Sequence, residues 1–389
     1  MPSDEAIHPT KRGLTAPPSA MVSFILSAKT RQQSNKETNS PHNSQSPMAS
    51  QILILDGGLG TSLEAKYGVT FSRATPLWSS DLLVSSPATL LACQKDFGDV
   101  PVDVLLTATY QVSLDGFAGT RNETFPDGIG ANAVPPFLDD AVAIAQKAIH
   151  GDARVALSCG PYGACMIPGQ EYSGKYDAAH DSPAALEEWH RQRMQLFGSI
   201  ADVGSRVGYV ALETIPRLDE IVAMRKAVAS TPELAHLPFW TACLSPGEDM
   251  TLPDGSSIEA AVEAMLDPKL SASVPWGIGI NCTKVHKLDA MLRIFESTVA
   301  RMVEDGRASS WPALILYPDG TNGEVYNTTT QKWELPDGAK AQDRGPWETQ
   351  VTDVVKATQE RGNWRTIVVG GCCRATSDDI AKLKGLLLG

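Results

Sequence analysis

The chain has 389 residues, 42% of them hydrophobic, and a formal net charge of −12 at pH 7. That length can bury a large core, as one long α/β domain or as two smaller ones, and the acidic balance excludes a nucleic-acid partner because no basic stripe offsets it. No apolar run approaches the roughly 18–20 residues that cross a bilayer, so no spanning segment is expected.

The seven cysteines are odd in number and sparse. The vicinal pair Cys372–Cys373 would strain a disulfide between its own members. A cytoplasmic protein with reduced thiols is therefore expected. The first fifty residues are rich in Ser, Thr, Pro, Gln and Asn without amphipathic periodicity, the composition of a disordered or dispensable extension over 1–50. Within it, 20–26 is apolar but short. Asp4 and Glu5 count against a transit peptide, Arg12, Lys29 and Arg31 leave that option open, and Met48 stands just before the first strand signal.

From Gln51 onward, over 51–389, apolar β-rich runs alternate with helical spacing. Strands are predicted over 52–55, 102–107, 154–158, 208–212, 238–244, 276–280, 313–316 and 366–369. Helical stretches between them include 141–149, 184–203, 218–228, 258–266, 288–303 and 349–359. Ser182-Pro183 reads as an N-cap followed by proline at the first helical position. A closing helix over 376–387 carries Asp378 and Asp379 at its positive end. Eight such units point to the α/β class and a (β/α)8 TIM barrel; a doubly wound open sheet is the rival, and eight units are long for it. Asp56-Gly57-Gly58-Leu59-Gly60 lacks the G-x-G-x-x-G spacing of a dinucleotide loop.

A barrel puts its chemistry at the carboxyl ends of its strands. The polar residues there are Asp56, Thr107, Tyr110, the run Gly160-Pro161-Tyr162-Gly163, Glu213-Thr214, Ser245, Asn281-Cys282, Tyr317 and Cys372-Cys373. Three thiols on strands six and eight can share one rim, as an open tetrahedral Zn2+ site requires, with the fourth position left to a substrate. Such an electron-rich site polarises water or a carbonyl weakly, but it delivers a bound substrate thiol as a nucleophile. Thiol alkylation by a sulfonium fits it better than hydrolysis. Asp56 and Glu213 on the same rim could hold an ammonium group, or act as an acid/base pair that would leave the cysteines unexplained.

These residues resemble the homocysteine S-methyltransferase family from about Ile52 to the C-terminus. The resemblance is carried by Asp56-Gly57-Gly58-Leu59-Gly60-Thr61, Thr107-Ala108-Thr109-Tyr110-Gln111, Glu213-Thr214-Ile215-Pro216, Asn281-Cys282 and Gly370-Gly371-Cys372-Cys373-Arg374. It implies a (β/α)8 barrel with zinc held by Cys282, Cys372 and Cys373 and the homocysteine thiolate as fourth ligand. By the same resemblance, Asp56, Gly57 and Glu213 look like contacts to the amino-acid part of homocysteine, and Tyr110 like an active-site tyrosine. A narrower resemblance, to members using a sulfonium donor (S-methylmethionine or S-adenosylmethionine) rather than betaine or methylfolate, rests on three places. These are Leu77-Trp78-Ser79, Gly160 to Ala164 with Glu171 to Tyr176, and Tyr317-Pro318 with Gly323-Glu324-Val325-Tyr326. No room remains for the cobalamin and folate modules of a cobalamin-dependent enzyme. Two departures stand out: Ala375-Thr376-Ser377 replaces the family's Thr-Thr-Pro, and the loop after strand seven, with extra residues between Asp319 and Gly323 and a long polar stretch to about Gly345, would overhang the site.

The implied activity is methionine formation by methyl transfer from the sulfonium to the zinc-bound thiolate. The alternatives are another donor or thiol acceptor on the same fold, hydrolase or lyase chemistry on a related barrel, and a non-catalytic zinc store or redox sensor. Cys93, Cys159, Cys165 and Cys243 read as buried small hydrophobes. Tyr162, Tyr172 and Tyr176 read as surface aromatics or donor-side contacts. Lys284 reads as a solvated charge rather than a Schiff-base lysine, and His286 lies near the cysteine loop without a constellation around it.

Overall fold

The first strand, β1 (Gln51–Ile54), is followed by β2 (Val104–Leu106), β3 (Arg154–Cys159), β4 (Tyr209–Ile215), β5 (Phe239–Cys243), β6 (Gly277–Asn281) and β7 (Ala313–Tyr317). A hairpin of β8 (Val325–Asn327) and β9 (Lys332–Glu334) precedes the last strand, β10 (Thr366–Val369). The computed structural model describes residues 50–389 except 73, 322, 328, 329, 331 and 336–343. The expected extension, apart from Ser50, lies outside the described residues, as does part of the polar stretch after β9.

Eight strands form one sheet in the order β1-β10-β7-β6-β5-β4-β3-β2, and their pairings are parallel. The sheet closes on itself: Leu55 bridges Val104 in parallel, and the Asp103 N–H donates to the Ile54 carbonyl at 2.8 Å. This is a (β/α)8 TIM barrel. The open doubly wound sheet is excluded, because it would leave β1 and β2 as unpaired edges.

Alternation along each strand builds two cores. Leu55, Val104, Ala156, Ala211, Trp240, Ile315 and Val368 fill the inside of the barrel. Their neighbours Ile54, Val155, Leu157, Leu314, Leu316, Ile367 and Val369 point outward against the helices. Small residues such as Ala156, Ala211 and Ala242 make room for the fully buried Trp240. Its indole N–H reaches the Tyr317 hydroxyl at 3.2 Å, so the plug touches the floor of the mouth above it.

Helix starts follow the expected signals. The Ser182 hydroxyl accepts from the Ala185 N–H at the head of Pro183–Gly198. Thr376 and Asp379 form a reciprocal capping box on Ser377–Leu388, supplying at the substituted Ala375-Thr376-Ser377 the stop and start that a proline otherwise marks. The predicted second strand, 102–107, shortens to β2. The fourth, 208–212, extends through Ile215 with a register break between Leu212 and Ile215, so Glu213 and Thr214 lie within β4 rather than after it. The β8–β9 hairpin was not anticipated, since strands of three residues carry too little periodicity to read. Among the described residues, no helix is long and apolar enough to cross a membrane.

Candidate active site

All of the chemistry gathers at the carboxyl-terminal mouth. Cys282 follows β6 directly and takes a left-handed backbone at φ 45°, a conformation that costs a non-glycine residue and swings its side chain over the mouth. The Cys282 N–H donates to the Tyr317 carbonyl at 3.2 Å, and the Cys372 N–H to the Pro318 carbonyl at 2.8 Å. The loops after β6 and β10 are thereby both tied to the end of β7, the strand between them. The Sγ atoms of Cys282, Cys372 and Cys373 all lie within 4.8 Å of one another. Three sulfurs at the usual zinc–sulfur bond length in a tetrahedral shell stand about 3.8 Å apart, so the donor set fits such an ion in chemistry, and Cys282 and Cys372, in bonding contact here, would have to part to hold it.

The sulfurs of Cys282 and Cys372 meet across the mouth at bonding distance. The approach of the two loops brings them together, and the expected three-thiolate set requires them reduced and parted. The vicinal pair is not bonded to itself, and Cys373 is free. Its sulfur lies 3.7 Å from the Tyr172 hydroxyl, and burial pushes its thiol up to about 12.

Opposite the sulfurs stand the two carboxylates. Asp56, 3% exposed, accepts from the Leu106 N–H at 2.9 Å through Oδ2, while Oδ1 is buried without a partner. Burial raises its pKa well above the ordinary aspartate value against the Leu106 bond, and the charge of Glu213 adds to the rise. Glu213 accepts from Ser158 Oγ and from the Tyr317 hydroxyl; burial nonetheless raises it to about 7. Gly57 lies where the first loop presses on the last: a Cβ there would stand 2.3 Å from the Ala375 carbonyl oxygen and 2.9 Å from the Phe97 ring.

Tyr110 closes another side of the mouth, its hydroxyl bonded to Thr214 and its acidity suppressed by burial. Thr214 is itself strained at φ 59° and is held by Asn281, whose side chain accepts from its N–H at 2.9 Å and donates to its hydroxyl at 2.7 Å. A Cβ on Gly160 would meet the Tyr110 ring at 2.5 Å. Sequence reasoning missed the residue that fixes this corner. Arg193, buried in the helix Pro183–Gly198, donates to the carbonyls of Tyr110 and Gly160 and, at 2.7 Å, to that of Val112. No local motif marks it, because its partners are loop carbonyls more than 30 residues away.

The cavity bounded by these groups holds about 1320 Å3 of space including its open mouth, and it reaches Trp78, Gln111, Met166, Ile167, Glu171, Tyr172 and Trp333. The hairpin β8–β9 thus does overhang the site, through Trp333. Of the other tyrosines, Tyr172 lines the cavity, whereas Tyr162 bonds Asp177 and Tyr176 bonds Glu220 at 2.5 Å in the wall behind it. Lys284 is not a solvated charge: it is about nine-tenths buried, paired with Asp319 at 3.1 Å and bonded to Thr321 and the Glu324 carbonyl. His286 meets Glu248 at 3.3 Å, away from the sulfurs. Cys93, Cys159 and Cys243 are buried, and Cys165 is partly so.

A family model described as homocysteine S-methyltransferase matches residues 53–387. The chain belongs to the homocysteine S-methyltransferase family. Members of this family are methyltransferases. Homocysteine S-methyltransferase of Escherichia coli (strain K12) is 28% identical over 343 residues, covering 86% of this chain and 94% of that relative. Homocysteine S-methyltransferase 1 of Arabidopsis thaliana is 26% identical over 344 residues, covering 84% and 90%. Among solved structures, the homocysteine methyltransferase MmuM from Escherichia coli in its metallated form superposes with a TM-score of 0.61 at 25% identity, covering 86% of this chain and 96% of that one. Its oxidized form gives 0.62 at 25% identity, covering 86% and 95%.

Proposed function

We propose that this chain transfers a methyl group from a sulfonium donor, S-methylmethionine or S-adenosylmethionine, to the thiol of homocysteine, forming methionine, with zinc held by Cys282, Cys372 and Cys373. The observation that carries the reading is the convergence of three sulfurs within 4.8 Å opposite a buried carboxylate with an unpartnered oxygen, Asp56 Oδ1. That pairing matches both ends of homocysteine, a thiol and an ammonium group. The metallated form of the similar MmuM supports a metal at the cysteines.

Zinc bound there would favour the thiolate form of the substrate thiol at neutral pH, supplying a nucleophile without a general base. The chain's own residues do the rest. Asp56 and Glu213 accept hydrogen bonds from the substrate ammonium, whose charge holds both carboxylates ionised despite burial. Tyr110, Trp78 and Tyr172 keep water from the reacting sulfur. Tyr172 donates to Cys373 once that sulfur is a thiolate. In the transfer the donor's sulfur–methyl bond breaks as the new carbon–sulfur bond forms. The donor leaves as a neutral sulfide, so no acid is needed at the leaving group. Residues 51–389 would form the whole catalytic unit, and a cytoplasmic setting, where thiols are kept reduced, suits a site that needs three of them.

The close approach of the Cys282 and Cys372 sulfurs favours a second reading, in which the cysteines serve as a redox switch without turnover. One assay separates the two: methionine formation from homocysteine with each donor, after reduction and zinc loading, with and without a chelator. Chelator-sensitive turnover is expected. Zinc-loaded, reduced protein that turns over neither donor would overturn the transfer reading.

A further inference from the structure

Glu171 has no role in what has been described so far, and its setting demands one. It lies on the loop after β3, which leaves the strand at Cys159, folds through the short turn Tyr162–Cys165 and returns along the cavity wall. The Gln170 N–H donates to the Gly163 carbonyl at 2.8 Å, fixing the return. The Glu171 side chain is 9% exposed, lines the same cavity as the cysteines, and its Oε2 is buried with no hydrogen-bond partner. Among the described residues, no lysine, arginine or histidine pairs with it. A buried carboxylate left this way is costly unless a ligand supplies the missing charge.

The wall beside it strengthens the point. Gln111 donates through Nε2 to the Ala164 carbonyl at 2.8 Å, while its Oε1 is also buried and unpartnered. Both residues line the cavity with apolar Met166, Ile167 and Trp78 and with Tyr172. Two acceptors in an aromatic and apolar wall suit a cation of low hydration. Asp56, the third group there with an orphan oxygen, follows β1 and feels the charge of Glu213 but not that of Glu171, so the cavity presents two separate negative stations rather than one.

We propose that Glu171, with Gln111 beside it, is the counter-charge for the positively charged methyl donor, leaving Asp56 and Glu213 to the acceptor. The assignment rests on the transfer reading above for the donor's chemistry, but not for the cation preference itself. A cation at this station would also hold the carboxyl ionised, which burial otherwise raises to about 7. Because the donor's sulfonium charge is extinguished as the methyl group leaves, the attraction is strongest in the bound ground state and fades in the transition state. Glu171 therefore acts on donor affinity more than on the chemical step.

Glu171→Gln keeps the shape and removes the charge. In the zinc-loaded enzyme it is expected to raise the donor KM at least tenfold while the homocysteine KM and kcat change less than threefold. Glu171→Asp is expected to recover part of the donor affinity. A rise in homocysteine KM with the donor KM unchanged, or no change in either, overturns the assignment. Direct titration with S-methylmethionine, and with methionine as its neutral counterpart, separates this inference from the transfer reading. Wild-type protein is expected to prefer the sulfonium, and Glu171→Gln to lose most of that preference. If wild type binds the sulfonium selectively but transfers nothing to homocysteine, the transfer reading fails and the counter-charge stands. If wild type shows no preference, or Glu171→Gln keeps it, the counter-charge fails.

Discussion

At Glu213, burial and hydrogen bonding pull in opposite directions and burial prevails, leaving the carboxyl at about 7 against 4.5 in an unfolded chain. The folded state then binds this proton more tightly than the unfolded state does. Its contribution to stability is full below 4.5 and is lost as the pH climbs through about 7. Urea unfolding of the ligand-free protein should therefore show it less stable at pH 8 than at pH 5, by on the order of 1–3 kcal/mol for this carboxyl. Glu213→Gln should reduce the slope of the profile, with Asp56 and Glu171, shifted the same way by burial, supplying the remainder, and a wild-type profile already flat would show that burial does not govern this group. A sulfur ligand is tested differently. Cys373→Ser should lower zinc stoichiometry in metal analysis and cut transfer by more than the roughly 10–100-fold that loss of an outer-shell partner costs. Full activity in that variant would rule out the three-sulfur site. That Cys282, Cys372, Cys373, Asp56 and Glu213 reach one mouth is legible in the sequence because each sits at or near a strand terminus, a position that the period-two pattern locates; the roles proposed for them rest on the family resemblance. Glu171 is legible only as part of the run that resembles sulfonium-donor members, and Arg193 not at all: what makes each matter is a neighbour brought by folding, an empty space in one case and distant carbonyls in the other.

Between elements, the mouth is held by bonds from one unit to the next. The Arg193 guanidinium spans the loops after β2 and β3, and Arg193→Met would leave several buried carbonyls unmet at about 1–3 kcal/mol each. A fall in unfolding free energy of at least about 3 kcal/mol, measured by urea, is expected; a fall under about 1 kcal/mol would show that water replaces the guanidinium. Lys284 does the same service between the loops after β6 and β7, through Asp319 at 3.1 Å and the Glu324 carbonyl. Lys284→Ala should weaken the seating of the β8–β9 hairpin, raising backbone hydrogen exchange there while leaving exchange in β6 and β7 unaltered. Unchanged exchange in the hairpin would mean that the ion pair is incidental to it. Strand order and the main helices were legible from periodicity, and the Pro183 start from its cap. The register break in β4 was not, since it depends on Asn281 gripping Thr214 across two strands rather than on any breaker residue in β4 itself.

For the molecule as a whole, the matched family region begins at residue 53, and β1 pairs with β10 and leads directly into Asp56. A chain starting at Met48 is expected to keep the thermal midpoint and the homocysteine-dependent turnover of the full chain. Loss of either would give the first fifty residues a part in the fold or in the reaction. The seam of the barrel has a consequence for how the protein is made. β10 pairs with β1 on one side and β7 on the other, and two of the three sulfurs follow it by only a few residues. During synthesis the ribosome must finish nearly the whole polypeptide before the first strand, already bridged to β2 through Leu55 and Val104, acquires its second partner, and until then β1 and β7 each expose one open edge to the crowded interior of the cell. A nascent chain stalled before Thr366 has one of the three clustered cysteines and no closed sheet. On the zinc reading proposed above, metal loading would follow completion of the last strand, and a nearly complete barrel keeps an unpaired edge until that strand arrives.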